Sequence, residues 1–214
     1  MTGSNQIPDR LFITGTDTGV GKTVLSSAFC AGLNAGYWKP VQAGTEPLTD
    51  SERVREWTSL PQDYFYDEQF CLSLPMSPHA ASEKEGIRIR LDDFKLPVFS
   101  QNKLIVEGAG GLLVPVNRRH TMLDLIYRLN LPVLLVARSG LGTINHTLLS
   151  IRMLEQYKVP LWGVVLNGPP NPSNEDAIRH FGKVDKLYAF PRLPDLSSVL
   201  LKEAFTKTFL SHAS

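Results

Sequence analysis

Short apolar runs alternate with amphipathic stretches along most of the chain. The runs at residues 11–14, 37–42, 104–107, 133–137, 161–166 and 187–190 read as strands, and several are apolar on both faces. Such runs suit a parallel sheet covered by helices on both sides, not a sheet with one wet face. Helical spacing predicts helices over 22–35, 122–129, 143–156, 173–180 and 197–209. In the third of these, Ile144, Leu148 and Ile151 recur at i, i+4 and i+7, which places them on one buried stripe. Ser173 and Asp176 match a capping box at the head of the fourth. Strand–helix alternation predicts an α/β fold, a doubly wound, mostly parallel sheet flanked by helices. Residues 43–103 interrupt the alternation with turns and mixed polarity.

The chain has 214 residues, which suits one domain over 1–214 with a full-sized core. A net charge of +1 with 20% charged residues gives no electrostatic footprint for nucleic acid or a membrane surface. No apolar run approaches the roughly 20 residues that span a bilayer. The start, MTGSNQIPDR, lacks the basic and apolar segments of a signal peptide, so a cytoplasmic protein is expected. Cys30 and Cys71 lack metal-ligand spacing, and Cys30 reads as a buried free thiol in the first helix.

Chemistry first becomes visible in GTDTGVGKT, residues 15–23, between the first strand and the first helix. Glycines let backbone N–H groups converge on an anion without Cβ clashes. The helix N-terminus behind them adds partial positive charge. Lys22 can reach the outer phosphates, and the Thr23 hydroxyl is placed to ligate magnesium. This is a phosphate loop of the P-loop NTPase kind, and five residues, instead of the standard four, separate Gly15 from Gly21. The chain is therefore expected to bind a nucleoside triphosphate.

Two further charged residues end predicted strands. Glu107 closes the apolar run of LIVEGAGG, where an unpaired carboxylate would cost several kcal/mol. At the carboxyl edge of the sheet, beside the phosphate loop, magnesium is its natural partner. Lys39, in GYWKPVQAG, follows apolar positions and precedes Pro40. Taken alone it reads as a surface lysine. In a phosphoryl-transfer site it would neutralise charge on the transferred group.

Together GTDTGVGKT, YWKPVQAG, SPHAA, VEGAGGLLVPV, GLGTINHTLLS and GVVLNG resemble the dethiobiotin synthetase family, over about residues 11 to 168. The resemblance implies a P-loop enzyme of biotin biosynthesis that closes the ureido ring of dethiobiotin from 7,8-diaminopelargonate, CO2 and ATP with Mg2+. By the same resemblance Lys22 binds phosphates and Lys39 holds a carbamate near the γ-phosphate, with Thr18 beside them as a catalytic candidate. Asp17, Gly19, Val20, Gly21, Thr23 and Val24 line the nucleotide, and Thr23, Asp50 and Glu107 ligate magnesium. Asn167 reads the adenine edge, with Pro191, Arg192 and Leu193 closing over the base. Ala43 falls at a substrate position. Gly142, Thr143, Ile144 and Asn145 hold the substrate's distal carboxylate at the interface of a homodimer. His146, one turn into that helix, is assigned a structural role.

Gly19 replaces an acidic residue common in the family, and Ala43 stands where a hydroxyl is usual. The alternative is a partitioning-type P-loop ATPase switch. Such proteins carry a second lysine where this chain has Thr16 and Asp17. Amide-forming relatives of the same class need a glutaminase domain, for which 214 residues leave no room.

Overall fold

The computed structural model describes residues 6–211. Strand β1 (Arg10–Gly15) leads through the glycine-rich loop into α1 (Lys22–Leu33). Next come β2 (Gly36–Trp38), β3 (Val41–Ala43), α2 (Asp50–Thr58), β4 (Phe65–Tyr66), β5 (Phe70–Leu72) and α3 (Pro78–Lys84). The chain continues through β6 (Leu104–Gly111), α4 (Met122–Leu129), β7 (Val133–Arg138) and α5 (Thr143–Gln156). The last elements are β8 (Leu161–Asn167), α6 (Pro172–Gly182), β9 (Leu187–Phe190) and α7 (Ser198–Phe205), which a π-helical turn over Thr206–Leu210 extends. Among the described residues, no helix is long and apolar enough to cross a membrane.

Seven strands pair in parallel in the order β4-β2-β6-β1-β7-β8-β9. Alternating side chains divide between two cores. On one face Leu11, Ile13, Tyr37, Ile105, Leu134 and Val165 meet Leu25 and Phe29 of α1 and Phe205 of α7. On the other, Phe12, Trp38, Val106, Leu135 and Val164 meet Leu123 of α4, Leu154 of α5 and Ile178 of α6. Each such buried side chain contributes roughly 1.5–3 kcal/mol. Helices α1 and α7 approach closely because Gly32 has no side chain; a Cβ there would lie 2.1 Å from the Phe205 ring.

The doubly wound parallel sheet follows the sequence pattern, with four local differences. The run at 37–42 splits at Lys39–Pro40, and β3 leaves the main sheet to pair in parallel with β5. Pro40 has no N–H to continue the first ladder. Residues 43–103 contain α2 and α3, both absent from the sequence reading. Asn171, not Ser173, caps α6, its side chain accepting from the backbone of Asn174. On α5, Ile151 is fully buried while Ile144 and Leu148 pack at the margin of the core.

Helix α2 is short and strongly polar, so its start matters. The Thr49 side chain accepts from the Glu52 backbone at 3.1 Å, and the Thr49 N–H donates to the Glu52 carboxylate at 2.7 Å. This reciprocal cap sits one residue before Asp50 and fixes where that carboxylate begins the helix. Thr49→Ala is expected to lower stability by about 1 kcal/mol. Chemical denaturation of the variant beside the parent checks it.

Candidate active site

The carboxyl ends of β1, β2 and β6 gather the charged residues through strand register. Ile13 pairs with Glu107, and Trp38 pairs with Val106, so Lys39 follows directly opposite Glu107. Glu107 is fully buried and Lys39 is 2% exposed, which excludes the surface reading of this lysine. The Lys39 ammonium lies 2.5 Å from Asp50 Oδ2, 3.1 Å from Glu107 Oε1 and 3.2 Å from the Gly108 carbonyl. Burial alone would depress the Lys39 pKa, but Glu107 and Asp50 outweigh it and hold it above the ordinary lysine value. Burial pushes Asp50 up, and the Lys39 charge, with help from Thr23 and Lys22, turns the net shift downward.

The phosphate loop bends back over these groups. Gly19 and Gly21 both have positive φ, +75° and +98°, which side-chain-bearing residues adopt only with strain. An acidic residue at position 19, usual in the resembled family, would meet that strain here. At Gly21 a Cβ would lie 2.0 Å from Asn167 Nδ2, which itself donates to the Val20 carbonyl at 2.9 Å. Asn167 thus pins the loop from the end of β8. The Lys22 ammonium donates to the Asp17 carbonyl at 2.9 Å, and Arg138 pairs with the Asp17 carboxylate at 3.0 Å. Burial, aided by the nearby Lys39 charge, lowers the Lys22 pKa from 10.5 to about 8.

A cavity of about 600 Å³ opens on this edge. Of the predicted residues, Thr18, Gly19 and Gly21 of the loop, Lys22, Thr23 and Val24 at the head of α1, and Lys39, Ala43, Asp50 and Glu107 line it. Val20 is buried behind the loop, and Asp17 faces outward to Arg138. Asn167 and Pro191–Leu193 do not line the cavity; Asn167 pairs with Phe190 at the strand ends, so Pro191 follows beside it. Gly142, Thr143, Ile144 and Asn145 do not line the cavity; they begin α5, where Thr143 is buried and Gly142 and Asn145 are exposed. His146 is exposed on the same turn.

Sequence reasoning assigned no role to Gln42, Ser77 or Tyr37. Gln42 accepts from the Asp50 backbone at 3.2 Å and donates to the Gly44 carbonyl at 2.6 Å, tying β3 to the start of α2. Ser77 lines the cavity at the head of α3 and contacts His79 Nδ1 at 2.9 Å. The Tyr37 hydroxyl donates to Glu107 Oε2 at 3.0 Å, and burial, then Glu107, pushes its own pKa well up. Tyr37 and Lys39 stand two residues apart, so both reach Glu107 from one face.

Three hard oxygen donors converge beside the loop. Thr23 Oγ1 lies 3.2 Å from Asp50 Oδ1 and 3.0 Å from Glu107 Oε1. Neighbouring corners of an octahedron with bonds of about 2.1 Å are separated by about 3.0 Å, so this set fits magnesium. Among the described residues no three His, Cys, Asp or Glu side chains form a cage. Two carboxylates plus a nucleotide's phosphates is the usual way this ion is held. The charges of Lys22 and Lys39 balance those of Asp50 and Glu107.

A parallel sheet with this loop and this donor set defines a nucleotide-binding enzyme site of the P-loop class. The family described as an AAA domain matches residues 9–199. An ATP-dependent dethiobiotin synthetase BioD of Rhodopseudomonas palustris is 44% identical over 200 residues, covering 94% of this chain and 95% of that one. The same-named proteins of Brucella ovis and Bradyrhizobium diazoefficiens are also 44% identical, each over 94% of this chain and 94% and 96% of their own. A nucleotide-binding protein in complex with ADP from Archaeoglobus fulgidus superposes with TM-score 0.50 at 11% identity, covering 92% of this chain and 87% of that one. That likeness concerns the fold alone. The chain belongs to the ATP-dependent dethiobiotin synthetase family.

The lowered pKa of Lys22 gives a test. Phosphate anions favour its charged form, so binding restores a proton that the free protein loses above pH about 8. The affinity for metal-free ATP should therefore fall as pH rises through 8, by up to about tenfold per unit. Below 8 the lysine contributes no slope. Calorimetry in EDTA, in two buffers of different ionisation enthalpy, reads both the slope and the proton uptake.

Proposed function

We propose that this chain makes dethiobiotin from 7,8-diaminopelargonate, CO2 and ATP, with magnesium on the nucleotide. Membership of the dethiobiotin synthetase family supports the product. The observation that carries the site assignment is the convergence of Lys22 and Lys39 with Thr23, Asp50 and Glu107 around one cavity. One substrate amine takes up CO2 and becomes a carbamate. A carbamate is a poor electrophile, so its oxygen first attacks the γ-phosphorus and ADP leaves. The second amine then attacks the carbonyl carbon of the mixed anhydride, and phosphate departs as the ring closes.

The chain's own task is to hold two anions together and exclude water. The loop amides and Lys22 take the phosphates, with Thr18 beside them. Lys39 holds the carbamate oxygen against the transferring group. Thr23, Asp50 and Glu107 would hold magnesium, which when bound neutralises phosphate charge. Asn167 with Pro191, Arg192 and Leu193 forms the base end of the nucleotide site, and Ala43 lies along the substrate. ATP consumption should require the diamine and bicarbonate together, and Lys39→Ala should lower it by roughly 10²–10³. A coupled ADP assay with each component omitted in turn checks this. Turnover stimulated by DNA or a membrane instead would favour the partitioning-type switch.

The distal carboxylate of the substrate is assigned to the start of α5 at Gly142, Thr143, Ile144 and Asn145 on a second protomer, where the Thr143 amide already donates to the Gly140 carbonyl at 3.2 Å. Leu141 is fully exposed beside them, and Leu149 and Leu113, both more than half exposed, line one cleft with His146. That cleft shares Val114 with the cavity, so a partner covering it reaches the site. Leu149→Glu should yield a monomer with the KM for diamine raised tenfold or more and the KM for ATP little changed. Light scattering and steady-state kinetics measure the two effects.

A further inference from the structure

The fully buried Glu107 carboxylate has two oxygens in different company. Oε1 faces Thr23 Oγ1 at 3.0 Å and Lys39 Nζ at 3.1 Å, on the cavity side. Oε2 faces the Tyr37 hydroxyl at 3.0 Å. Tyr37 is itself fully buried, in the apolar layer with Leu25, Phe29, Val54 and Ile105, and its ring centroid lies 6.2 Å from that of Phe65. A tyrosine in such a layer has one polar atom to satisfy, and here that atom is spent on the carboxylate.

We propose that Tyr37 is a positioning residue that holds Glu107 in the orientation magnesium requires. The inference rests on the reading of Glu107 as a magnesium ligand. A glutamate side chain has three rotatable bonds, and Lys39 and Thr23 bind only one of its oxygens. The phenol holds the other, so the carboxylate keeps one anchored oxygen when an ion competes with Lys39 for Oε1. Parallel register makes the arrangement possible: Tyr37 pairs with Ile105, two residues before Glu107 on the same face. Without the hydroxyl, Oε2 would be left without a donor in an apolar layer, and the side chain would turn to find one. Ligand-orienting partners of this kind are worth roughly 10–100-fold in metal affinity.

The test measures Mn2+ binding by electron paramagnetic resonance to the full chain with a non-hydrolysable ATP analogue. Tyr37→Phe should weaken Mn2+ roughly tenfold or more, while affinity for the metal-free analogue stays within twofold. A Mn2+ affinity within threefold of the parent overturns the proposal. In a double-mutant cycle, Tyr37→Phe should add no further loss in a Glu107→Gln background; a second tenfold loss there also overturns it. If Glu107→Gln alone keeps full Mn2+ affinity, the reading of Glu107 as a ligand fails instead. Should Tyr37→Phe not fold, 4-aminophenylalanine at position 37 restores a donor on the same ring. Mn2+ affinity within threefold of the parent then supports the role, and a tenfold loss overturns it.

Discussion

One buried ion cluster governs the architecture of this site. Lys39 sits between Asp50 and Glu107, all three drawn from different parts of the chain and largely removed from water. Leaving any one of them alone in that place would cost several kcal/mol, so each is tolerable only because the others are there. The sheet brings Lys39 and Glu107 together by parallel register, and α2 delivers Asp50 through its capped first turn. With the cluster's charges balanced in this way, the loop amides and the helix N-terminus behind them are left to meet a nucleotide's phosphates.

The phosphate loop is held to that cluster by equally local constraints. Its left-handed glycines allow the backbone to turn its amides inward, and the Asn167 amide closes against the bare α-carbon of Gly21. A residue read from sequence as the adenine contact therefore already has one structural duty. Both duties are compatible, since the amide oxygen and second N–H of Asn167 are not used by Val20. The loop, Asn167 and the ion cluster are thereby joined through β1, β6 and β8.

The parts legible in the sequence were those encoded over short spans. The strand–glycine loop–helix order announces itself in nine residues, and the apolar runs of a buried parallel sheet need no partner to be recognised. Glu107 stood out because a carboxylate ends a run that is otherwise apolar. Register was not legible, so the contact of Lys39 with Glu107 and the role of Tyr37 had no local signature. Helix α2 was missed for its polarity, although Thr49-Asp50-Ser51-Glu52 spells its cap. At α6 the Ser173–Asp176 pattern misplaced the cap, and Pro172 explains why: proline suits the first helical position, so the cap is the residue before it. The single-domain expectation rests on length and the dimer expectation on resemblance.

Transfer of the γ-phosphoryl group to a CO2-derived oxygen leaves an isotopic record that plain hydrolysis of ATP does not. When 18O-labelled CO2, diamine and ATP react on the protein, the attacking carbamate oxygen should depart with the phosphate as the ring closes. Phosphorus NMR of the released phosphate is then expected to find one 18O atom per molecule, in step with dethiobiotin formed. Phosphate free of label, at the same yield of dethiobiotin, would contradict the account.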